Sequence, residues 1–339
     1  MTLVVRDEVD IVDAQIEYHL NAGVDFVLAT DHDSRDGTTD ILEKYARDGY
    51  LRLFRERGEM RESEWRTRMA RLAAVEHGAD WVINTDGDEF WMPRRGTLKQ
   101  ALVAVPNDVG IVWALTRHFV PRPEDGGFFA ERMTARLSLD APLNDPTSPY
   151  RPHAKAAHRA DPRIVVLFGS HDVVSDLKRM HGWHPADVLH FPFRAREQYE
   201  RKGVRRARGD KPLGQYVKAF EASERGRVED AYGSLVVDGA IMARGLVEGS
   251  LVVDTRLRDA LRELHGGEGN VLAAVPGTVE EDVRAVAEET ALYEANLVRA
   301  RRSIDVLNAR LGVLEEHAGA RVPARRIRHE SERRVEGRM

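Results

Sequence analysis

Two aspartates, Asp86 and Asp88, lie two positions apart in the stretch NTDGDEFW (84–91), directly after an apolar run. If this stretch is extended, side chains at positions i and i+2 point to the same side, and both carboxylates face one ligand. Neighbouring carboxylates repel unless a cation or a shared proton compensates their charge. Because two carboxylates leave most of a coordination shell open, the spacing favours Mg²⁺ or Mn²⁺ that also binds a substrate diphosphate.

The same D-x-D pattern has other interpretations. Acidic pairs of this kind often cap the next helix or lie in a solvated loop. An EF-hand calcium loop does not fit, because its fifth position requires Asp or Asn, and Phe90 stands fifth from Asp86. Phosphatases of the haloacid-dehalogenase type place D-x-D after their first strand, whereas three predicted strand–helix units precede it here. A metal–diphosphate site and a capping role both remain open on the pattern alone.

Three predicted strand–helix units position the acidic pair. Short β-rich runs at 2–6, 24–30 and 50–54 are each followed by a segment with apolar residues at helical spacing, and a fourth run ends at the pair. Strands that alternate with helices predict an α/β fold with a parallel sheet. Ligands of such sheets bind beyond the carboxyl ends of the strands. We therefore expect the acidic pair and the acidic loop 31–36 at a ligand site.

Composition sets the class of protein. The 339 residues are 42% hydrophobic, which is enough for one large or two modest domains. A net charge of −5 indicates neither a nucleic acid nor a membrane surface as partner. The absence of cysteine excludes disulfides and thiolate metal sites. No signal-peptide pattern and no run of 18 apolar residues is found, so we expect a cytoplasmic protein, or one peripheral to the inner face of the membrane. The excess of Arg, Ala and Val over Lys and Asn indicates a bacterial source.

Four stretches, taken in order, resemble a known enzyme class. They are VVRDEVDIVDAQIEYHLNAGVDFVLATDHDSRDGTTDILEKY, WVINTDGDEFWMP, KAAHRADPRIVVLFGSHDV and LHFPFRAREQYERKG. Together they resemble nucleotide-sugar glycosyltransferases of the GT-A type, in the family 2-like group that is related to family 92. The resemblance covers roughly residues 2–205, with Asp7, Phe191 and Ala195 where that group has Asn, Tyr and Ser. It implies a GT-A (Rossmann-like) α/β domain.

The resemblance also implies roles for individual residues. Asp31 would bind the nucleoside, Asp86 the ribose and the metal, and Asp88 the metal. A late histidine completes the metal shell in many such enzymes, and His190 and His171 are the candidates here. The cofactor would be Mn²⁺ or Mg²⁺.

Basic residues would hold the donor, and a carboxylate would activate the acceptor. Arg6, Lys155, Arg194 and Lys202 are the nucleotide-sugar candidates. Inverting transfer needs a general base, for which we choose Asp172, which follows an apolar run and a Gly-Ser turn. Its alternative role is a helix N-cap. Further candidates for the base are Glu131, Asp140 and Asp145.

The expected function is metal-dependent, inverting transfer from a UDP-linked sugar to an acceptor that is a glycan, a lipid-linked molecule or a small molecule. The alternatives are a metal-dependent phosphohydrolase with Asp86 as nucleophile, and an inactive sugar-nucleotide-binding or scaffold protein. The predicted domains are a GT-A domain at 1–205, a helical extension at 206–275 and a C-terminal helix with a basic tail at 276–339. Apolar heptad spacing over 292–316 is short, so a helix packed on the body and a homodimer contact are both open.

Overall fold

The structure is a computed structural model that describes residues 1–138, 153–180, 186–207, 214–266, 301–309 and 311. The chain divides into two compact units, Met1–Ala287 and Glu288–Met339. In the second unit, residues 301–309 are helical. The rest of the predicted dimer segment 292–316 and the basic tail lie outside the described residues.

The described part of the first unit contains twelve strands and ten helices. The strands are β1 (Thr2–Val5), β2 (Val27–His32), β3 (Leu51–Glu56), β4 (Trp81–Asp86), β5 (Glu89–Pro93), β6 (Ile111–His118), β7 (Ala135–Leu137), β8 (Ala154–Arg159), β9 (Val165–Val166), β10 (Val173–Val174), β11 (Ala186–His190) and β12 (Leu251–Val253). The helices are α1 (Val12–Asn21), α2 (Thr38–Arg47), α3 (Glu62–Val75), α4 (Leu98–Val103), α5 (Phe129–Arg132), α6 (Arg196–Ala207), α7 (Gly214–Glu224), α8 (Val228–Gly233), α9 (Gly239–Glu248) and α10 (Arg256–Gly266).

Eight strands form one sheet in the order β3-β2-β1-β4-β8-β6-β11-β5. The strands β1 to β4 are parallel, and α1, α2 and α3 connect them, as the alternation predicted. In the register of β1, Val5 pairs with Asp31 and Val4 pairs with Asp86. The carboxyl ends of β1, β2 and β4 therefore meet at one edge of the sheet, and the acidic residues lie there.

The other half of the sheet is mixed rather than parallel. Strand β8 runs antiparallel to both β4 and β6, and β11 runs parallel to β6 but antiparallel to β5. The prediction of an α/β fold is confirmed, whereas the parallel arrangement is continuous only over the first four strands, and the other half of the sheet has one parallel pair, β6 and β11. In the β11–β5 pairing, His190 lies opposite Glu89, which brings the end of β11 to the acidic pair.

The acidic pair itself spans a turn. Residues 87 and 88 form a tight turn between β4 and β5, so the expectation of an extended segment is wrong. Gly87 packs against β1, because a Cβ atom placed on it would lie 3.0 Å from Val5 Cγ1. The turn thus approaches β1 so closely that a side chain at this position would require Val5 to shift by a few tenths of an ångström.

Helices cover both faces of the sheet, since successive residues of a strand point to opposite faces. On β1, Leu3 belongs to a buried cluster with Val12 and Leu42 of α1 and α2. Val4 belongs to a cluster on the other face with Met69 of α3. A third cluster fills the mixed half of the sheet and is rich in aromatic side chains, among them Phe90, Trp91, Phe119, Phe129 and Phe191.

The segment after α6 is mainly helical, as predicted, with one exception. Strand β12 pairs antiparallel with β7, an element that the sequence reading did not include. Helix α7 packs closely on α6, where a Cβ atom on Gly203 would lie 2.3 Å from Ala219 Cβ. The domain boundaries at 205 and 275 stay predictions, and 275 lies outside the described residues. No helix among the described residues is both long enough and apolar enough to cross a membrane.

Candidate functional site

A cavity of about 150 Å³ lies at the carboxyl ends of β1 and β4, beside the acidic turn. Seven of the predicted site residues line it, namely Arg6, Asp86, Asp88, Lys155, His171, His190 and Lys202. Three strands (β4, β8 and β11), helix α6 and three connecting segments contribute these residues. The structure therefore gathers most of the residues that the sequence motifs singled out.

Asp86 ends β4 between two cations. Lys155 of β8 donates from Nζ to Asp86 Oδ2 at 2.9 Å, and Arg66 of α3 donates to Asp86 Oδ1. Arg66 also donates from Nε to Glu62 Oε1 at 3.0 Å, which orients the guanidinium. Burial acts to raise the pKa of Asp86, but Lys155 and Arg66 outweigh it and hold that pKa far below its usual value. Asp86 is thus an ionised carboxylate with both oxygens hydrogen-bonded.

Asp88 lies in the turn and contacts the end of α6. Lys202 donates from Nζ to Asp88 Oδ2 at 2.5 Å, and His190 Nε2 lies 3.5 Å from the same oxygen. The backbone N–H of Phe191 donates to the carbonyl of Asp88 at 2.9 Å. Burial acts to raise the pKa of Asp88, but Lys202 and His190 outweigh it and keep that pKa well below 3.8.

Besides Glu62, which binds Arg66, two further buried carboxylates line the cavity, Glu8 and Glu89, and the sequence motifs did not assign them a role. Glu8 accepts a hydrogen bond from Arg194, and its Oε1 lies 3.9 Å from Lys202 Nζ. Glu89 lies 2.8 Å from Lys155 Nζ and accepts the backbone N–H of Asp86 at 3.1 Å. Burial raises the pKa of both carboxyl groups in spite of these cations. The only sequence signal for Glu89 was its position directly after the acidic pair.

Histidines form one wall of the cavity. The Nδ1 atoms of His190 and His118 lie 3.0 Å apart, because the two residues pair in the parallel register of β11 and β6. The rings of His153 and His171 lie 4.6 Å apart, and His171 Nδ1 lies 3.1 Å from the carbonyl of Ala154. Burial and nearby Lys155 lower the pKa of His171, which keeps its imidazole neutral. His118 and His153 were not predicted.

The donor atoms around Asp88 fit a divalent cation in part. In the described residues, no group of three His, Asp or Glu side chains is placed to hold a metal ion. Asp88 Oδ2 and His190 Nε2 are 3.5 Å apart. A hard cation about 2.1 Å from each donor spans roughly 3 to 3.5 Å between them, so these two atoms suit neighbouring positions of one shell. The remaining positions would come from water and from a bound substrate.

Three predicted site residues do not line the cavity. Asp31 accepts the backbone N–H of Ser34 at 3.1 Å and the hydroxyl of Thr39 at 2.5 Å, so it organises the loop before α2. Asp172 accepts two hydrogen bonds from Arg179 Nη1, at 2.7 and 2.9 Å.

Arg194 is fully buried behind the cavity. It donates from Nε to Asp10 at 2.6 Å and also binds Glu8. Of the other base candidates, Glu131 pairs with Arg262 at the surface, and Asp140 and Asp145 lie outside the described residues. The roles assigned to Asp31, Asp172 and Arg194 stay predictions.

The mouth of the cavity has an apolar side. Met60 and Phe168 line the cavity and are 38% and 57% exposed. Lys155 donates from Nζ to the carbonyl of Gly169 at 2.7 Å, and Gly169 has a φ of 70°, which favours glycine. The loop that carries Phe168 is therefore bonded to the same lysine that holds Asp86.

Residues 3–115 match the model of glycosyltransferase family 92. No curated protein matches the chain. Among solved structures, a crystal structure of S. aureus TarS shares 14% identity and a TM-score of 0.31, over 67% of this chain and 42% of that one. S. aureus TarS 1–349 in complex with UDP-GlcNAc shares 12% identity and a TM-score of 0.32, over 87% of this chain and 90% of that one.

The likeness to TarS is too low to assign an activity, and the chain spans less than half of the first TarS structure, at 42%. The family match is more specific. It covers the four parallel strands and the acidic turn. The first two of the four stretches quoted from the sequence lie in this part of the chain. The chain is therefore similar to glycosyltransferase family 92 over residues 3–115, the part that forms the four parallel strands and the acidic turn of its α/β fold.

Proposed function

We propose that this protein is a glycosyltransferase that transfers a sugar from a nucleoside diphosphate sugar, with Mn²⁺ or Mg²⁺ bound by Asp88 and His190. The observation that carries the proposal is the cavity at the carboxyl ends of β1 and β4, where carboxylates, imidazoles and ammonium groups meet. Parallel α/β sheets bind their ligands at this edge. A diphosphate needs cationic partners, and a divalent cation needs oxygen and imidazole donors. The cavity offers both.

The bound cation would stabilise the negative charge that develops on the departing nucleoside diphosphate. Lys155 and Lys202 bring ammonium groups to the same cavity from β8 and α6. Arg6 and Arg205 also line it and extend the positive charge along the end of β1. These residues bind and orient the phosphates, and the buried carboxylates keep the cations in place before the donor binds.

Asp86 has a different role from Asp88 in this proposal. Arg66 and Lys155 occupy both of its oxygens, so it is already neutralised without a metal. It fixes Lys155 beside the cavity, and because each carboxylate oxygen has two lone pairs, it can accept a ribose hydroxyl as well. We propose that Asp88 is the stronger metal ligand and that Asp86 orients the donor.

The donor is proposed to be UDP-linked and the reaction inverting, with Asp172 as general base. Asp172 adjoins His171, which lines the cavity. Since Arg179 binds its carboxylate, Asp172 acts as a base only after that ion pair opens. A variant Asp172→Asn that keeps donor hydrolysis and donor affinity but loses transfer to acceptors supports this assignment.

The rival phosphohydrolase needs Asp86 as a nucleophile with one oxygen free to attack phosphorus. Both oxygens are hydrogen-bonded, and the family 92 match favours sugar transfer. The second rival is a binding or scaffold protein that binds the sugar nucleotide without turnover. Only a measurement of turnover distinguishes it from an enzyme.

The test is a titration of UDP, GDP, CDP and ADP by calorimetry, each with and without Mn²⁺, followed by assays of donor hydrolysis with the matching sugar nucleotides. We expect one nucleotide to bind at least tenfold more tightly with Mn²⁺ and its donor to release the diphosphate. Equal affinity with and without Mn²⁺ for every nucleotide refutes the metal assignment. Binding of a donor without any turnover favours the scaffold protein.

A further inference from the structure

Lys202 occupies the position on Asp88 that the proposed cation requires. Its ammonium lies 2.5 Å from Asp88 Oδ2, the same oxygen that lies 3.5 Å from His190 Nε2. A cation held by Asp88 and His190 has to take a lone pair from that oxygen. Because two cations at one carboxylate oxygen repel each other, the ammonium group and a divalent cation compete for Asp88.

The buried charges around Asp88 already balance without a metal. Glu8 and Asp88 are compensated by Arg194 and Lys202, and all four side chains are at most 9% exposed, whereas Asp10, which also binds Arg194, is 38% exposed to solvent. A divalent cation that enters alone adds positive charge to a buried and neutral group, which is unfavourable. A cation that enters with a diphosphate brings its own counter-charge, so the pair can enter where the cation alone cannot.

The ammonium group of Lys202 can bind other partners in the cavity. Its side chain lines the cavity, and Glu8 Oε1 lies 3.9 Å from its Nζ. A lysine has a flexible four-carbon stem and three donors that rotate freely, unlike the rigid fork of an arginine. The ammonium can leave Asp88 for a phosphate oxygen in the same cavity without movement of the backbone of α6.

We propose that Lys202 is a placeholder for the divalent cation: it neutralises Asp88 in the empty enzyme and transfers to the diphosphate when metal and donor bind together. This inference rests on the proposed function, since it assumes a cation between Asp88 and His190. It explains how a buried acidic turn stays neutral between turnovers. It also makes the enzyme discriminate against free metal ions, because only the metal–diphosphate pair gives Lys202 a new partner.

The test uses the variant Lys202→Met, which keeps the apolar stem and removes the ammonium. The matched control is Lys218→Met on the exposed face of α7. Calorimetry with Mn²⁺ in the absence of nucleotide should show at least tenfold tighter binding to Lys202→Met than to the unmutated protein or the control. The gain in Mn²⁺ affinity that UDP provides should be at least tenfold smaller in Lys202→Met.

The melting temperature of Lys202→Met provides a second test, which also applies if this variant is less stable than the unmutated protein. Lys202→Met leaves Asp88 without its ammonium partner, so Mn²⁺ alone should raise its melting temperature more than that of the unmutated protein. Lys202→Gln, which keeps a hydrogen-bond donor without the charge, should behave in the same way if Lys202→Met does not fold.

The outcomes separate this inference from the proposed function. If the unmutated protein binds Mn²⁺ only together with UDP but Lys202→Met binds Mn²⁺ alone no more tightly, the placeholder role is wrong and the metal site stands. If Lys202→Met loses UDP affinity equally with and without Mn²⁺, Lys202 is a simple phosphate ligand and the placeholder role is again wrong. If the unmutated protein binds no Mn²⁺ even with UDP, the proposed metal and this inference both fail.

Discussion

Replacement of Asp88 by asparagine should destabilise the metal-free protein, because Lys202 loses its shortest partner. The two side chains are 5% and 9% exposed, so the ion pair is screened little by solvent. Removing one partner of a buried pair costs about 3–5 kcal/mol. Glu8 Oε1 remains 3.9 Å from Lys202 Nζ and retains part of the attraction, so we take the lower end of that range. The expected loss of about 3 kcal/mol lowers the melting temperature by about 6 °C.

A double-mutant cycle isolates the pair. Asp88→Asn and Lys202→Met combined remove both charges, so the double variant should be more stable than the sum of the single losses predicts. We expect a coupling free energy of about 2 kcal/mol in urea unfolding with EDTA present. Single losses that simply add, or an Asp88→Asn variant as stable as the unmutated protein, contradict the assignment of this ion pair.

The same pair predicts a pH dependence. The pKa of Asp88 is held well below 3.8, so its folded pKa is depressed relative to the unfolded chain. The stabilisation is then complete above the unfolded pKa and is lost as the pH falls through the folded value. The difference in stability between the unmutated protein and Asp88→Asn should stay constant from about pH 7 to 5 and narrow below about pH 4. If the difference in stability between the two proteins widens as the pH falls below about 4, this reasoning is wrong.

Three further predictions concern the scaffold. Burial lowers the pKa of His19 from 6.5 to about 4, so its contribution to stability is present above pH 6.5 and is lost as the pH falls towards 4. In urea unfolding, the free energy of unfolding should fall by about 2 kcal/mol between pH 6.5 and 5 because of this residue. The fall should be smaller in the variant His19→Gln. Gly203→Ala should cost about 1–3 kcal/mol in thermal unfolding because its Cβ meets Ala219, whereas Gly239→Ala, with nothing within 4 Å, should cost none. Asp187→Asn leaves three arginines with a weaker partner and should lower stability by about 3 kcal/mol, while UDP affinity measured at a temperature where the protein is folded stays unchanged.

The parallel half of the fold could be predicted because its signals are local. Strand and helix periods alternate from β1 to β4, and the topology of such units places their carboxyl ends together. The positions of Asp86 and Asp88 at that edge followed from these rules alone. The turn between them did not, because an i, i+2 pair looks the same in an extended segment and across a tight turn.

The mixed half could not be predicted in this way. Strand β8 enters the sheet between β4 and β6, and β5 crosses to the far edge beside β11. Such pairings join distant segments, and the sequence period of a short strand does not specify its partner. Whether Glu8 and Glu89 would be buried site carboxylates or solvated loop residues depends on those partners. The same holds for His118, which reaches the cavity through its pairing with β11.

The cations that complete the acidic turn come late in the chain. Lys202 follows Asp88 by 114 residues, and Arg194 follows Glu8 by 186. A ribosome that adds about 5–20 residues per second takes roughly 6 to 23 seconds to reach Lys202 after Asp88 has been synthesised. Arg194 precedes α6 and Lys202 lies on it, so neither cation can neutralise Glu8 or Asp88 until this late segment has been synthesised. These ion pairs of Glu8 and Asp88 therefore form only after all eight strands of the large sheet have been synthesised.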